Sequence, residues 1–208
     1  MTLRIGDIAP NFNCMSTLGA LNFHDYKKDS WALLFSHPAD FTPVCSTELI
    51  EFAKEKNYFE NKNTKLIGLS IDSIHSHLAW IENLRGIFDL ELSYPLVADS
   101  KALVAESYGM IHPGESETMT VRTLFVIDPE HKIRALIYYP LNIGRNIQEV
   151  KRLLTALQTS DKNRVACPVN WQEGDKVIIP PPKNMAELKE RNAGNYERLD
   201  FYLCKKSI

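Results

Sequence analysis

The sequence predicts an α/β chain built on a mixed central sheet covered by helices, with a small C-terminal extension, and three observations predict it. Apolar runs of strand length alternate with an amphipathic stretch over residues 30–72, two strand-like runs flank "PEHK" at 129–132, and the character of the chain changes after about residue 160. A strand, helix, strand succession needs a crossover and favours a parallel pair, whereas a short turn joins antiparallel neighbours. One sheet containing both kinds of pairing is therefore expected.

The elements follow in order. "SWALLFS" (30–36) and "KLIGLSID" (65–72) are the first strands, and between them Leu49, Phe52, Ala53 and Lys56 recur at helical spacing. Ser73 is placed to cap the next helix, with His77, Leu78, Ile81 and Leu84 along one face. "YPLVADS" gives a short strand, and "KALVAESYG" a short helix that ends on Gly109, a natural left-handed terminator. "TVRTLFVID" and "IRALIYY" form the hairpin, and "NIQEVKRLLTALQTS" closes the unit with Ile147, Val150, Leu154 and Leu157 on one face. The division expected is a domain over 1–165 and an extension over 166–208. The extension carries three consecutive prolines and many charges, too little to fold alone, so it should wrap over the domain or a second subunit through Val177, Ile178, Ile179, Phe201, Tyr202 and Leu203.

Composition excludes several classes. With 24 basic against 26 acidic residues and no basic block, nucleic acid is not an expected partner. "MTLRIGDIAP" lacks the apolar run of a signal peptide, and no segment approaches the ~20 apolar residues of a membrane span, so a soluble, cytoplasmic protein is expected. The four cysteines, Cys14, Cys45, Cys167 and Cys204, form no CxxC pair and are expected as free thiols of a reducing compartment. No cofactor or metal is expected. His75 and His77 make an H-x-H pair, but on a helix they point about 200° apart and cannot share an ion.

The informative stretch is "FSHPADFTPVCSTEL" (35–49). With Thr42 at the N-cap, Pro43 falls at its favoured first helical position and Cys45 in the first turn. A sulfur there meets free backbone N–H groups and the positive end of the helix dipole, both of which favour thiolate. Pro38 and Pro43 shape a loop that can shield it, and the Thr42 hydroxyl can bond a peroxide or the sulfur. A cation is still needed, and Arg122 sits inside a strand where a lone charge requires a partner.

The pattern Pro38, Thr42, Cys45 resembles the active-site signature of peroxiredoxins, and "SHPADFTPVCSTEL" is similar to the form in the 1-Cys peroxiredoxin 6 subfamily. "YPLVAD", "VRTLFVIDP", "YYPLNIGRN" and "PVNW" agree, so the resemblance covers nearly the whole chain. It implies a thioredoxin-like fold, a homodimer or ring of dimers, and reduction of hydrogen peroxide and organic hydroperoxides through a cysteine sulfenic acid. Residue by residue, Cys45 resembles the peroxidatic cysteine, Thr42 and Arg122 the groups that bind and activate peroxide, and Pro38 the shielding proline. His37 and Arg145 match a histidine and a second arginine beside the pocket, and Glu48 is expected to orient an arginine.

Two further readings bear on the remaining residues. Subfamily relatives can carry a hydrolase serine; here Ser30, His24 and Glu130 match its positions, but "KDSWA" lacks the glycines of a nucleophile elbow. A non-catalytic holdase role through the apolar tail is a rival that the prepared thiol disfavours. The sulfenic acid is expected to be reduced by an external thiol of glutathione or thioredoxin type, or by ascorbate. Cys204, followed by two lysines, is the alternative resolving thiol, with Cys167 next and Cys14 read as a turn or buried residue.

Overall fold

A computed structural model describes residues 3–194 and 196–208, in two compact units, Met1–Arg145 and Asn146–Ile208. The first unit runs β1 (Asn13–Ser16), β2 (Gly19–Asn22), α1 (Phe23–Lys27), β3 (Trp31–Ser36), α2 (Pro43–Lys54), α3 (Lys56–Asn61) and β4 (Thr64–Ser70). It continues through α4 (Ile74–Phe88), β5 (Leu96–Ala98), α5 (Leu103–Ser107), β6 (Arg122–Ile127) and β7 (Ile133–Tyr139). Its seven strands form one sheet in the order β2-β1-β5-β4-β3-β6-β7.

β3 lies inside this sheet, parallel to β4 on one side and antiparallel to β6 on the other. All six of its residues are buried, which is why its sequence is a continuous apolar run without alternation. The two crossovers, through α2 and α3 and then through α4, make β3, β4 and β5 parallel, while the β6–β7 hairpin and the β1–β2 hairpin supply the antiparallel edges. The mixed sheet flanked by helices is the thioredoxin-like arrangement. The β1–β2 hairpin holds Cys14 opposite Leu21.

Helix termini follow the expected chemistry. Ser73 caps α4 by accepting the Ser76 N–H, and Gly109 after α5 has φ +64, a backbone that favours glycine. The buried face of α4 is His77, Trp80 and Leu84, not the expected set: Leu78 is exposed and Ile81 only half-buried.

The second unit consists of α6 (Ile147–Asn163), β8 (Val177–Ile178), α7 (Met185–Ala193), β9 (Glu197–Asp200) and β10 (Leu203–Lys206), the strands forming a sheet in the order β8-β10-β9. The two compact units meet between Arg145 and Asn146, and Ala156 of α6 packs with Val165, Trp171 and Val177 in a core of the second unit. Val177 is the one expected anchor that is fully buried; Ile178, Ile179 and Leu203 are half-buried, and Phe201 and Tyr202 are exposed. Trp171 anchors the unit in their place. Among the described residues no helix is long and apolar enough to cross a membrane.

β4 carries a glycine for a packing reason. A Cβ on Gly68 would lie 2.5 Å from Leu96 Cδ2 and 3.4 Å from the Phe35 ring, so β5 can approach closely only because the side chain is missing. Gly68→Ala is expected to cost about 1–3 kcal/mol in urea unfolding, through overpacking against Leu96; an unchanged midpoint would mean that β5 yields freely.

Candidate active site

The end of β3, the loop to α2 and the start of β6 meet at one point, because β6 runs antiparallel to β3 and pairs Phe35 with Leu124. That register sets Ser36 beside Thr123, where its hydroxyl bonds the Val121 carbonyl (2.6 Å) and Thr123 Oγ1 (2.8 Å). Arg122, the first residue of β6, therefore emerges where the chain turns toward α2.

Thr42 is the N-cap of α2 and Pro43 its first residue, which puts Cys45 in the first turn, fully buried. Thr42 does not cap in the ordinary way. Its side chain makes no bond to a first-turn N–H; the hydroxyl donates to the Ala39 carbonyl (2.8 Å). The expected donation to sulfur is therefore absent, and the Thr42 oxygen is left to act as an acceptor. Phe41, just before it, has φ +54, a strained backbone for a bulky residue that marks the sharp turn into the helix. Pro38 is buried and Pro43 exposed.

Arg122 donates from Nη1 to Cys45 Sγ (3.2 Å) and to Glu48 Oε2 (2.8 Å), and from Nε and Nη2 to the Leu141 carbonyl (3.0 and 2.7 Å). Glu48 lies three residues after Cys45 on α2, on the same helical face. Its Oε2 also accepts from Arg145 Nη2 (2.7 Å), and its Oε1 from the Arg145 backbone N–H (2.8 Å). Arg145 reaches the carbonyls of Ser36 (3.0 Å) and Thr123 (2.7 Å) with Nη1, and its guanidinium lies over the Phe35 and Phe52 rings. Arg145 thus ties the ends of β3 and β6 to Glu48, and Arg122 is the arginine that touches sulfur. Two guanidinium charges share one buried carboxylate, so the cluster balances when Cys45 is a thiolate.

His37, at the start of the loop, is buried, and its Nε2 lies 2.9 Å from Asp40 Oδ1. The other Asp40 oxygen is 2.7 Å from His77 Nδ1, and the Asp40 N–H donates to Asp72 Oδ2 (3.1 Å). These three buried residues are a metal-like grouping, with ligand atoms within 4.8 Å of one another. Each facing nitrogen is hydrogen-bonded to the carboxylate, which accepts only, so both of these nitrogens donate. His75 is exposed and His77 buried, as their opposite directions on α4 require. Sequence reasoning missed Asp40 and His77; the one available signal was an aspartate inside the loop with a histidine on the buried face of α4.

The hydrolase positions do not assemble. Ser30 Oγ donates to Asn63 (3.0 Å), His24 Nε2 faces the Ala9 carbonyl (2.9 Å) and Glu130 pairs with Lys132 (3.0 Å). His24 stacks instead on His131. Of the other thiols, Cys204 is buried on β10 with its sulfur 3.3 Å from the Asp200 carbonyl, and Cys167, half-buried, lies 3.5 Å from the Ala156 carbonyl. Burial pushes the Cys167 thiol up, against the nearby Arg152 charge, and burial with Asp99 pushes Cys14 up.

Comparison with known proteins covers both units. The model of the AhpC/TSA family matches residues 5–136, and that of the C-terminal domain of 1-Cys peroxiredoxin matches 156–191. A peroxiredoxin of Aquifex aeolicus is 48% identical over 99% of this chain and 97% of its own length. A yeast mitochondrial 1-Cys peroxiredoxin, solved in work on thiol resolution via glutathione/thioredoxin systems, superposes with a TM-score of 0.91 at 43% identity, covering 100% of both chains. A mutant of peroxiredoxin 6 from Arenicola marina gives a TM-score of 0.88 at 34% identity over 99% of this chain and 98% of that one.

The buried loop cluster predicts a pH dependence of stability. Burial would raise the Asp40 carboxyl, but hydrogen bonds from His37 and His77 outweigh it and hold the group below the usual carboxylate range. Burial pushes His37 down, against the Asp40 hydrogen bond. Both groups bind protons more readily in the unfolded chain, so stability should fall as pH drops below about 6.5, and further below about 4. His37→Gln should flatten the first part of this decline in urea unfolding followed across pH. An equal slope in both proteins would contradict the assignment.

Proposed function

The chain belongs to the peroxiredoxins of the AhpC/TSA family and is a thiol-dependent peroxidase, and we propose that Cys45 is its peroxidatic sulfur. The observation that carries this is the 3.2 Å contact from Arg122 Nη1 to Cys45 Sγ at the start of α2. The substrates are hydrogen peroxide and organic hydroperoxides. The Cys45 thiolate attacks one peroxide oxygen and the O–O bond breaks. The attacked oxygen stays on sulfur with its hydrogen as sulfenic acid, and the other leaves as hydroxide or alkoxide, which takes a proton from solvent to become water or alcohol. Arg122, pinned by Glu48 and the Leu141 carbonyl, meets the charge that develops on the oxygens without having to reorient. Thr42, its own proton committed to Ala39, accepts the peroxide O–H. Pro38 closes the loop over the sulfur, and His37 is an acceptor beside it. Glu48 and Arg145 hold Arg122 in place.

An external thiol of glutathione or thioredoxin type, or ascorbate, then reduces the sulfenic acid. The burial of Cys204 and its contact with the Asp200 carbonyl support this over internal resolution. The exposed Leu199, Phe201 and Tyr202 of the second unit support self-association as a homodimer, extended in one form to a ring of dimers. Four free cysteines suit a reducing, cytoplasmic setting.

Cys45→Ser should abolish peroxide consumption and keep the unfolding midpoint, and Arg122→Met should slow Cys45 oxidation about 100- to 1,000-fold; stopped-flow oxidation would measure both. A Cys45→Ser protein that consumed peroxide normally would refute the assignment. On non-reducing gels after one equivalent of peroxide, wild-type protein should show no new cross-linked species. A peroxide-induced disulfide lost only in Cys204→Ser would instead establish Cys204 as the resolving thiol.

A further inference from the structure

Helix α4 contributes a group that the chemistry at Cys45 does not touch. His77 presents Nδ1 to Asp40 Oδ2 at 2.7 Å and Nε2 to the Val97 carbonyl at 3.2 Å. An ionised carboxylate accepts only, so His77 Nδ1 is the donor of that contact. The second Asp40 oxygen faces His37 Nε2 at 2.9 Å. That nitrogen must also donate, and burial keeps the His37 ring neutral, so its single proton is on Nε2 and Nδ1 holds a bare lone pair.

His37 Nδ1 is buried and has no hydrogen-bond partner among the described residues. A buried acceptor left empty is costly, and such a group persists where a ligand supplies the missing donor. His37 begins the loop that leads to Cys45, and a hydroperoxide and the sulfenic acid it would leave both carry O–H donors.

We propose that His77 is a positioning residue for the peroxidase reaction, acting through Asp40 to lock His37 in the tautomer whose Nδ1 accepts the O–H of peroxide or sulfenic acid. This rests on the assignment of Cys45 as the peroxidatic sulfur. Without His77, the Asp40 carboxylate loses its second anchor and is free to turn. The His37 proton can then move to Nδ1, turning the acceptor into a donor that opposes the incoming O–H. The Asp40 N–H bond to Asp72 and the Thr120 hydroxyl bond to the His37 carbonyl remain, so the loop keeps its path while the tautomer is released.

The test uses the full-length reduced protein. Long-range 1H–15N correlation of the histidine rings should show His37 with an unprotonated Nδ1 and a protonated Nε2, and His77 with a protonated Nδ1. His77→Asn keeps an N–H near the place of Nδ1 and should retain both this His37 spectrum and a near wild-type rate of Cys45 oxidation. His77→Phe keeps the ring volume and loses both donors; its His37 spectrum should become a mixture of tautomers and its oxidation slow about tenfold or more. A wild-type His37 protonated on Nδ1, or a His77→Phe protein with wild-type spectrum and rate, would overturn the proposal. Should His77→Phe not fold, the same two readouts are taken in His77→Leu, which also lacks both donors. Cys45→Ser separates the two readings, since peroxide turnover surviving in it would remove the Cys45 assignment while leaving the His37 spectrum unchanged.

Discussion

One buried carboxylate governs this site. Glu48 accepts from two guanidinium groups and a backbone N–H, with its side chain and both arginines out of water. An ionised group in such surroundings is tolerable only when paired, and two positive charges against one negative leave a surplus. The surplus lies on Arg122, whose Nη1 also faces Cys45. Arg122 thus joins Cys45 to Glu48 by the same contacts that hold the helix to the sheet.

The fold brings these groups together through a few simple relations. Cys45 and Glu48 are three residues apart on α2 and share a face, so one arginine can bond both. The antiparallel register of β6 against β3 puts Arg122 at the end of β3 where the loop to α2 begins. Arg145, after β7, reaches back to the carbonyls of Ser36 and Thr123, fastening the two strand ends to the same carboxylate. The loop itself is held from the other side by Asp40, which His37, His77 and the Asp72 carboxylate surround. Cys45 thus touches one buried ionic cluster, and a second, around Asp40, holds the loop that leads to it.

Local rules made much of this legible. A threonine, a proline at the first helical position and a cysteine in the first turn are neighbours in sequence, so their joint meaning needs no tertiary information. Arg122 was conspicuous because an arginine inside an apolar strand must have a partner, and Glu48, one turn after Cys45, was already expected to orient an arginine; the structure pairs it with both Arg122 and Arg145. The Thr42 bond to Ala39 overrode the expected cap, since loop geometry and not propensity decides which acceptor a hydroxyl meets. Asp40 and His77 are 37 residues apart, and only the packing of α4 against the loop joins them. The second unit was the least legible. Its strands are two to four residues long, too short for a period to register, and Trp171 draws its burial from a small core that α6 must supply.

The central claim is that Glu48, which touches neither peroxide nor sulfur, is what makes Arg122 effective. The most direct measurement is the second-order rate constant for peroxide oxidation of Cys45 in Glu48→Gln, taken by stopped-flow on protein verified as folded. An amide keeps the size and one acceptor but removes the charge that pins both arginines. The account predicts a loss of about 100-fold, comparable to removing a preorganised donor outright. A folded Glu48→Gln protein that oxidised at the wild-type rate would contradict it.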